Sequence, residues 1–203
     1  MRLLRFSLSL VPCPLSLVPC PLSLVSSLVP MPGHVILSHG SDSGPDATKV
    51  SALARVAEAR GWSTLRPDYR ADDTAGYAGS VPLRVARLID AMRHAPRPLV
   101  LAGSSMGAFV SGLASIELEC DGLFLVALPT TIPGCPSRFD LRPGIETMLV
   151  HGYRDELCPA DAALAFASAR GIPALMLDGD HRLSNHVAMI ERQFRLLLES
   201  VAG

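Results

Sequence analysis

From His34 to the C-terminus, apolar runs of strand length alternate with longer segments whose apolar residues recur at helical spacing. His34–Ser38 (HVILS), closed by His39-Gly40, reads as a buried parallel strand. Ala47–Arg60 follows as a helix with Val50, Leu53, Ala54 and Ala57 on one face and Gly61 as its stop. Trp62–Leu65 is a second strand, and Leu83–His94 a helix carrying Val85, Leu88, Ile89 and Met92. The pattern continues through strand Pro98–Ala102, helix Met106–Leu118, and strands Gly122–Ala127 and Thr147–Val150. Helix Ala160–Ala169, strand Ala174–Leu177 and helix Val187–Val201 complete it, the last with Ile190, Phe194, Leu197 and Leu198 on one face. Thr130–Glu146 holds three prolines and no helical period, so it is expected to be a loop and not a cap domain. This order predicts an α/β chain with about six mostly parallel strands flanked by helices. Parallel strands are joined by right-handed crossovers, and ligands bind beyond the carboxyl ends of the strands. Chemistry is therefore expected just after strands.

Composition narrows the function. With 49% hydrophobic and 18% charged residues, the chain of 203 residues is expected to fold, as one domain. Its net charge is −1, and its eighteen Lys and Arg residues, of which only Lys49 is a lysine, are scattered. No basic stripe is present to follow a phosphate backbone, which argues against nucleic acid as a partner.

The first thirty residues stand apart. Leu8–Pro14 (LSLVPCP) is repeated unchanged at Leu15–Pro21 and begun again at Leu22–Val25. Each copy carries two prolines, which disfavours a membrane-spanning helix. Arg2 and Arg5 before an apolar run resemble the start of a signal peptide, but no alanine precedes Ala47 and Val25-Ser26-Ser27 is a poor cleavage site. We read residues 1–30 as a low-complexity segment, translated upstream sequence with Met31 as the true start, or else a signal or anchor segment. Residues 31–203 are read as the folded domain. Outside that segment, Cys120, Cys135 and Cys158 have no metal-ligand spacing, so reduced thiols and a cytoplasmic protein without a structural zinc are expected.

Four post-strand segments carry candidate chemistry. Gly103-Ser104-Ser105-Met106-Gly107 has the form G-x-S-x-G between a strand and a helix. A tight turn there holds the Ser105 hydroxyl clear of the sheet and directs the Met106 amide at a developing oxyanion. Its alternative is a glycine-lined turn whose serine caps the helix. Asp155, after Thr147–Val150, is placed to fix a histidine tautomer, or else to cap the helix near Pro159. His181, in Asp178-Gly179-Asp180-His181 after the final strand, is placed to accept the Ser105 proton; His186 competes for that role. His39-Gly40-Ser41 follows the first strand, and the Ser41 amide is the candidate for a second oxyanion donor. Neither phosphate-binding glycine fingerprint is present, which sets a flavodoxin-like binding module behind.

On His39-Gly40, the Gly103–Gly107 motif, Asp155 with Cys158-Pro159, and Asp180-His181, the chain resembles the α/β-hydrolase superfamily. It is most similar to its small, lidless bacterial members related to the dienelactone-hydrolase-like group, over about residues 33–201. The resemblance implies Ser105 as nucleophile, His181 as general base, Asp155 as its orienting acid, and the Ser41 and Met106 amides as the oxyanion hole. Two departures stand out. The superfamily's first two strands have no counterpart, and the nucleophile is a serine where dienelactone hydrolases use cysteine. The function expected is a serine hydrolase of small carboxylic esters or thioesters, needing no metal or cofactor and spanning no membrane. A homodimer is compatible with that reading. An amidase or peptidase with the same residues, and a catalytically silent hydrolase fold acting as a binding scaffold, are the competing readings.

Overall fold

A computed structural model describes residues 32–203, so the readings made of residues 1–30 lie outside the described residues. Six parallel strands form one sheet, in the order β2-β1-β3-β4-β5-β6. They are β1 (His34–Ser38), β2 (Ser63–Leu65), β3 (Leu99–Ser104), β4 (Gly122–Val126), β5 (Glu146–Gly152) and β6 (Ala174–Leu177). The helices are α1 (Thr48–Glu58), α2 (Arg70–Asp73), α3 (Gly76–Arg93), α4 (Met106–Glu117), α5 (Ala160–Ala169) and α6 (Val187–Ala202).

Successive strand residues point to opposite faces, and both faces of the central strands β1, β3 and β4 are buried. Ile36, Leu99, Leu101, Leu123, Leu125 and Leu149 pack under α3, α4 and α5. Val35, Leu37, Val100, Ala102, Phe124, Val126 and Val150 pack under α1 and α6, where the Phe124 and Phe194 rings meet at 5.0 Å. The register sets Ser38 beside Gly103 and Ser104 beside Val126, so β1, β3 and β4 end at one level. The chain therefore presents several strand ends on one rim, as the parallel reading requires.

The central elements fall where the apolar periodicity puts them, and the region after Arg66 does not. Arg70–Asp73 is a short helix, and α3 begins at Gly76, not at Leu83. Pro82 sits inside α3 on its exposed side. Ser80, Val81 and Arg84 are buried and anchor these extra turns. Thr130–Glu146 is an extended excursion without a cap. Its Phe139 ring packs between Phe109 and Phe166, and Arg142 donates to the Ser115 and Ile116 carbonyls at the end of α4. Among the described residues, no helix is long and apolar enough to cross a membrane.

Gly107 marks the tightest helix–strand contact: a Cβ there would overlap the Ser38 carbonyl, and one at Gly103 would overlap the Gly107 backbone. A backbone collision cannot be relieved by a rotamer change, so Gly107→Ala is expected to cost about 3 kcal/mol or more. Urea denaturation checks this; a loss below about 1 kcal/mol would mean that α4 and β1 separate freely.

Candidate active site

Ser105 occupies the single residue between β3 and α4, with φ 56° and ψ −125°. Few non-glycine residues adopt that conformation, and here the structure fixes it from both sides. The Ser105 amide donates to the Val126 carbonyl at 2.9 Å, and the close approach at Gly103 and Gly107 leaves the turn no wider path. The hydroxyl is thereby lifted off the sheet at the N-terminus of α4.

Three side chains from three loops meet there. His181 Nε2 lies 3.0 Å from Ser105 Oγ, and His181 Nδ1 lies 2.8 Å from Asp155 Oδ2. A carboxylate only accepts, so Nδ1 carries the proton and Nε2 is left as an acceptor for the Ser105 hydroxyl. Asp155 Oδ1 accepts from the Leu157 and Cys158 amides at 3.0 and 2.8 Å. Both readings of Asp155 thus hold together: one oxygen braces its own turn and the other faces the histidine. His186 does not approach Ser105; its Nε2 donates to the Asp178 carbonyl at 3.0 Å.

Burial by itself would raise the Asp155 carboxyl. Hydrogen bonds from His151, His181 and the Cys158 amide outweigh it and hold the group well below the usual carboxylate range. Because the folded value is depressed, this stabilisation is complete above about pH 4 and is lost as pH falls below it. The sequence reading passed over His151, which lies four residues before Asp155 and is fully buried. Its Nδ1 accepts from the Leu128 amide at 3.2 Å, so Nε2 is the donor, shared between the Cys158 carbonyl and Asp155. The H-G-x-x-D spacing was the available signal.

The His39-Gly40-Ser41 loop runs past the serine, so that a Cβ on Gly40 would stand 3.3 Å from Ser105 Cβ. A buried polar network fixes that path. Arg84, fully buried, donates to the His39 and Gly40 carbonyls at 2.8 and 3.2 Å while pairing Asp73 through two bonds of 2.7 and 2.6 Å. His39 Nε2 accepts from the Tyr69 amide at 3.0 Å, and Nδ1 donates to the Gly40 carbonyl at 2.7 Å. Among the described residues, the Ser41 and Met106 amides donate to no other protein group. Both are therefore available to a ligand.

The residues line a cleft of about 720 Å³, a size suited to a small molecule. Its walls include Ser41, Lys49, Tyr77, Ile132, Leu157 and Val187. Asp155, Cys158 and His181 offer ligand atoms within 4.8 Å of one another, a spacing a metal ion could bridge. Both Asp155 oxygens already accept from protein donors, however, and burial pushes the Cys158 thiol up to about 12, so the cluster serves hydrogen bonding.

Comparison with known proteins identifies the family of the fold. A family model described as an alpha/beta hydrolase domain matches residues 32–200, and the chain belongs to that family. A candidate hydrolase of the alpha/beta superfamily from Xanthomonas campestris pv. campestris is 42% identical, with a TM-score of 0.79 over 83% of this chain and 99% of its own. A lidless α/β serine hydrolase from the same species shares 22% identity, with a TM-score of 0.65 over 84% of this chain and 82% of its own. Est1E from Butyrivibrio proteoclasticus, solved with ferulic acid bound, shares 16%, with a TM-score of 0.68 over 84% and 90%. The last two speak to the fold alone. No curated protein matches the sequence.

Arg84 supplies a direct test of how the loop is held. Arg84→Met leaves Asp73 without its partner and the His39 carbonyl without its donor, while the Gly40 carbonyl keeps His39 Nδ1 and Ser43 Oγ; this should cost about 3 kcal/mol in urea denaturation. A change under about 1 kcal/mol would mean that the His39-Gly40 loop holds its path without the guanidinium.

Proposed function

We propose that the protein is a serine hydrolase that cleaves small carboxylic esters or thioesters through an acyl-enzyme. The observation that carries this reading is the unbroken chain of contacts from Asp155 through His181 to Ser105. Ser105 Oγ attacks the substrate carbonyl carbon while its proton passes to His181 Nε2. The carbonyl oxygen becomes an oxyanion that accepts from the Ser41 and Met106 amides. Collapse of the tetrahedral intermediate breaks the bond to the leaving alkoxide or thiolate, which takes the proton from His181. Water then attacks the acyl-Ser105 ester under the same base, releasing the acid and restoring the serine hydroxyl. Asp155 accepts from His181 Nδ1 throughout and stabilises the imidazolium formed in each half.

The cleft favours short, flexible soluble esters, because among the described residues no cap encloses a long acyl chain. Free thiols at Cys120, Cys135 and Cys158 suit a reducing cytoplasm. The scaffold reading is less well supported: a strained serine, an oriented imidazole and two available amides serve no purpose in a silent fold. Labelling by a fluorophosphonate probe tests the proposal. The wild-type protein is expected to label, and Ser105→Ala to lose both label and esterase activity. His181→Ala should lower kcat roughly 10³-fold or more, while His186→Ala stays within about threefold. A folded wild-type protein that neither labels nor hydrolyses short esters would overturn the reading.

A further inference from the structure

One group at the cleft has no part in the mechanism above. Lys49 is the only lysine in a chain that otherwise uses arginine for positive charge. It stands in the first turn of α1, where the helix dipole disfavours a cation, and no acidic residue accompanies it there. Its placement is explained across the cleft. Lys49 Nζ donates to the His181 carbonyl at 3.0 Å and to the Arg182 carbonyl at 3.1 Å. The rest of the segment is held from its own side of the cleft: Asp180 Oδ1 accepts from the Arg182 and Leu183 amides, and buried Leu183 sits at φ 53°.

Resting on the proposed acyl-transfer reading, we propose that Lys49 is a positioning residue: its ammonium clamps the backbone of His181 and thereby sets the imidazole against Ser105. A compact ammonium with three donors can serve two adjacent carbonyls from one point. The same bonds become state-dependent when the amine titrates. Burial brings the Lys49 amine down to about 8, against the opposing pull of Asp155, Asp180 and Cys158, the ionisable groups that face it from the β5–α5 and β6–α6 loops. Below that pH the clamp is charged. Above it a neutral amine keeps two N–H donors but loses the charge that roughly doubles their strength. The clamp slackens without opening.

The test is the pH profile of kcat for para-nitrophenyl acetate, with the spontaneous rate subtracted, in wild type, K49R, K49M and K49Q. Wild-type kcat is expected to fall several-fold to a lower plateau as pH rises through about 8. K49R, which stays charged, should keep at least about a third of wild-type kcat near neutrality and lose the alkaline fall. K49M and K49Q should be about tenfold slower in kcat than wild type below about pH 8 and show no alkaline fall, so that the difference narrows above it, with KM changed less than about threefold, because a small displacement of the base acts on the chemical step. Thermal unfolding of each variant separates loss of the clamp from loss of the fold, and the wild-type profile needs no variant. A wild-type kcat flat across this range, a K49M enzyme as fast as wild type, or an unchanged alkaline fall in K49R would each overturn the proposal. Ser105→Ala in the same assay keeps the two questions apart. If it is active, the acyl-transfer reading fails; if it is inactive beside an unimpaired K49M, only the clamp fails.

Discussion

A single buried carboxylate ties the candidate site to the sheet. Asp155 follows β5, and its two oxygens face opposite demands: one holds the amides of its own turn, the other holds His151 and His181. Burial of an unpaired carboxylate would be costly, so the donors around it are a condition of the fold as much as of the chemistry. His181 has its ring orientation from this contact, and the serine has its partner from His181. Remove the carboxylate, and a buried histidine, two amides and the orientation of the second imidazole lose their acceptor together.

The scaffold delivers the loops to one rim, and charged side chains hold them there. Parallel pairing in register brings the ends of β1, β3 and β4 to one level, but loops beyond strand ends have no ladder to define them. Arg84 supplies that definition for His39 and Gly40 from beneath, fully buried and paired with Asp73. Lys49 makes the matching contacts with His181 and Arg182 from α1. In both cases a cation reads main-chain carbonyls, so the geometry of the site rests on backbone positions as well as on the reacting side chains.

The parts of this arrangement legible in the sequence are those encoded by local pattern. Six apolar runs, the glycines around Ser105 and the order of Asp155 and His181 after later strands all follow from spacing, and the sheet accommodates each of them. The first turns of α3 were hidden because Pro82 and Gly79 are poor helix residues, kept helical by the burial of Ser80, Val81 and Arg84. Arg84 and Lys49 carry no local signature, and His151 carries only its spacing from Asp155. Arg84 and Lys49 reach carbonyls 44 to 133 residues away in the chain, and His151 accepts from the Leu128 amide 23 residues away, contacts that periodicity does not report. His186 competes with His181 in the sequence; in the structure the left-handed turn at Leu183 lies between them, with His181 against Ser105 and Asp155 and His186 against the Asp178 carbonyl.

Acyl transfer at this site requires a covalent ester at the Ser105 hydroxyl. Acid-quenched turnover of a short-chain ester, followed by intact-mass and peptide mass spectrometry, tests this most directly. A fraction of the protein should be heavier by the acyl group, with the increment on the peptide containing Ser105 and its amount decaying once substrate is exhausted. Steady turnover with no acyl group on that peptide, or with the group carried by another residue, would contradict it.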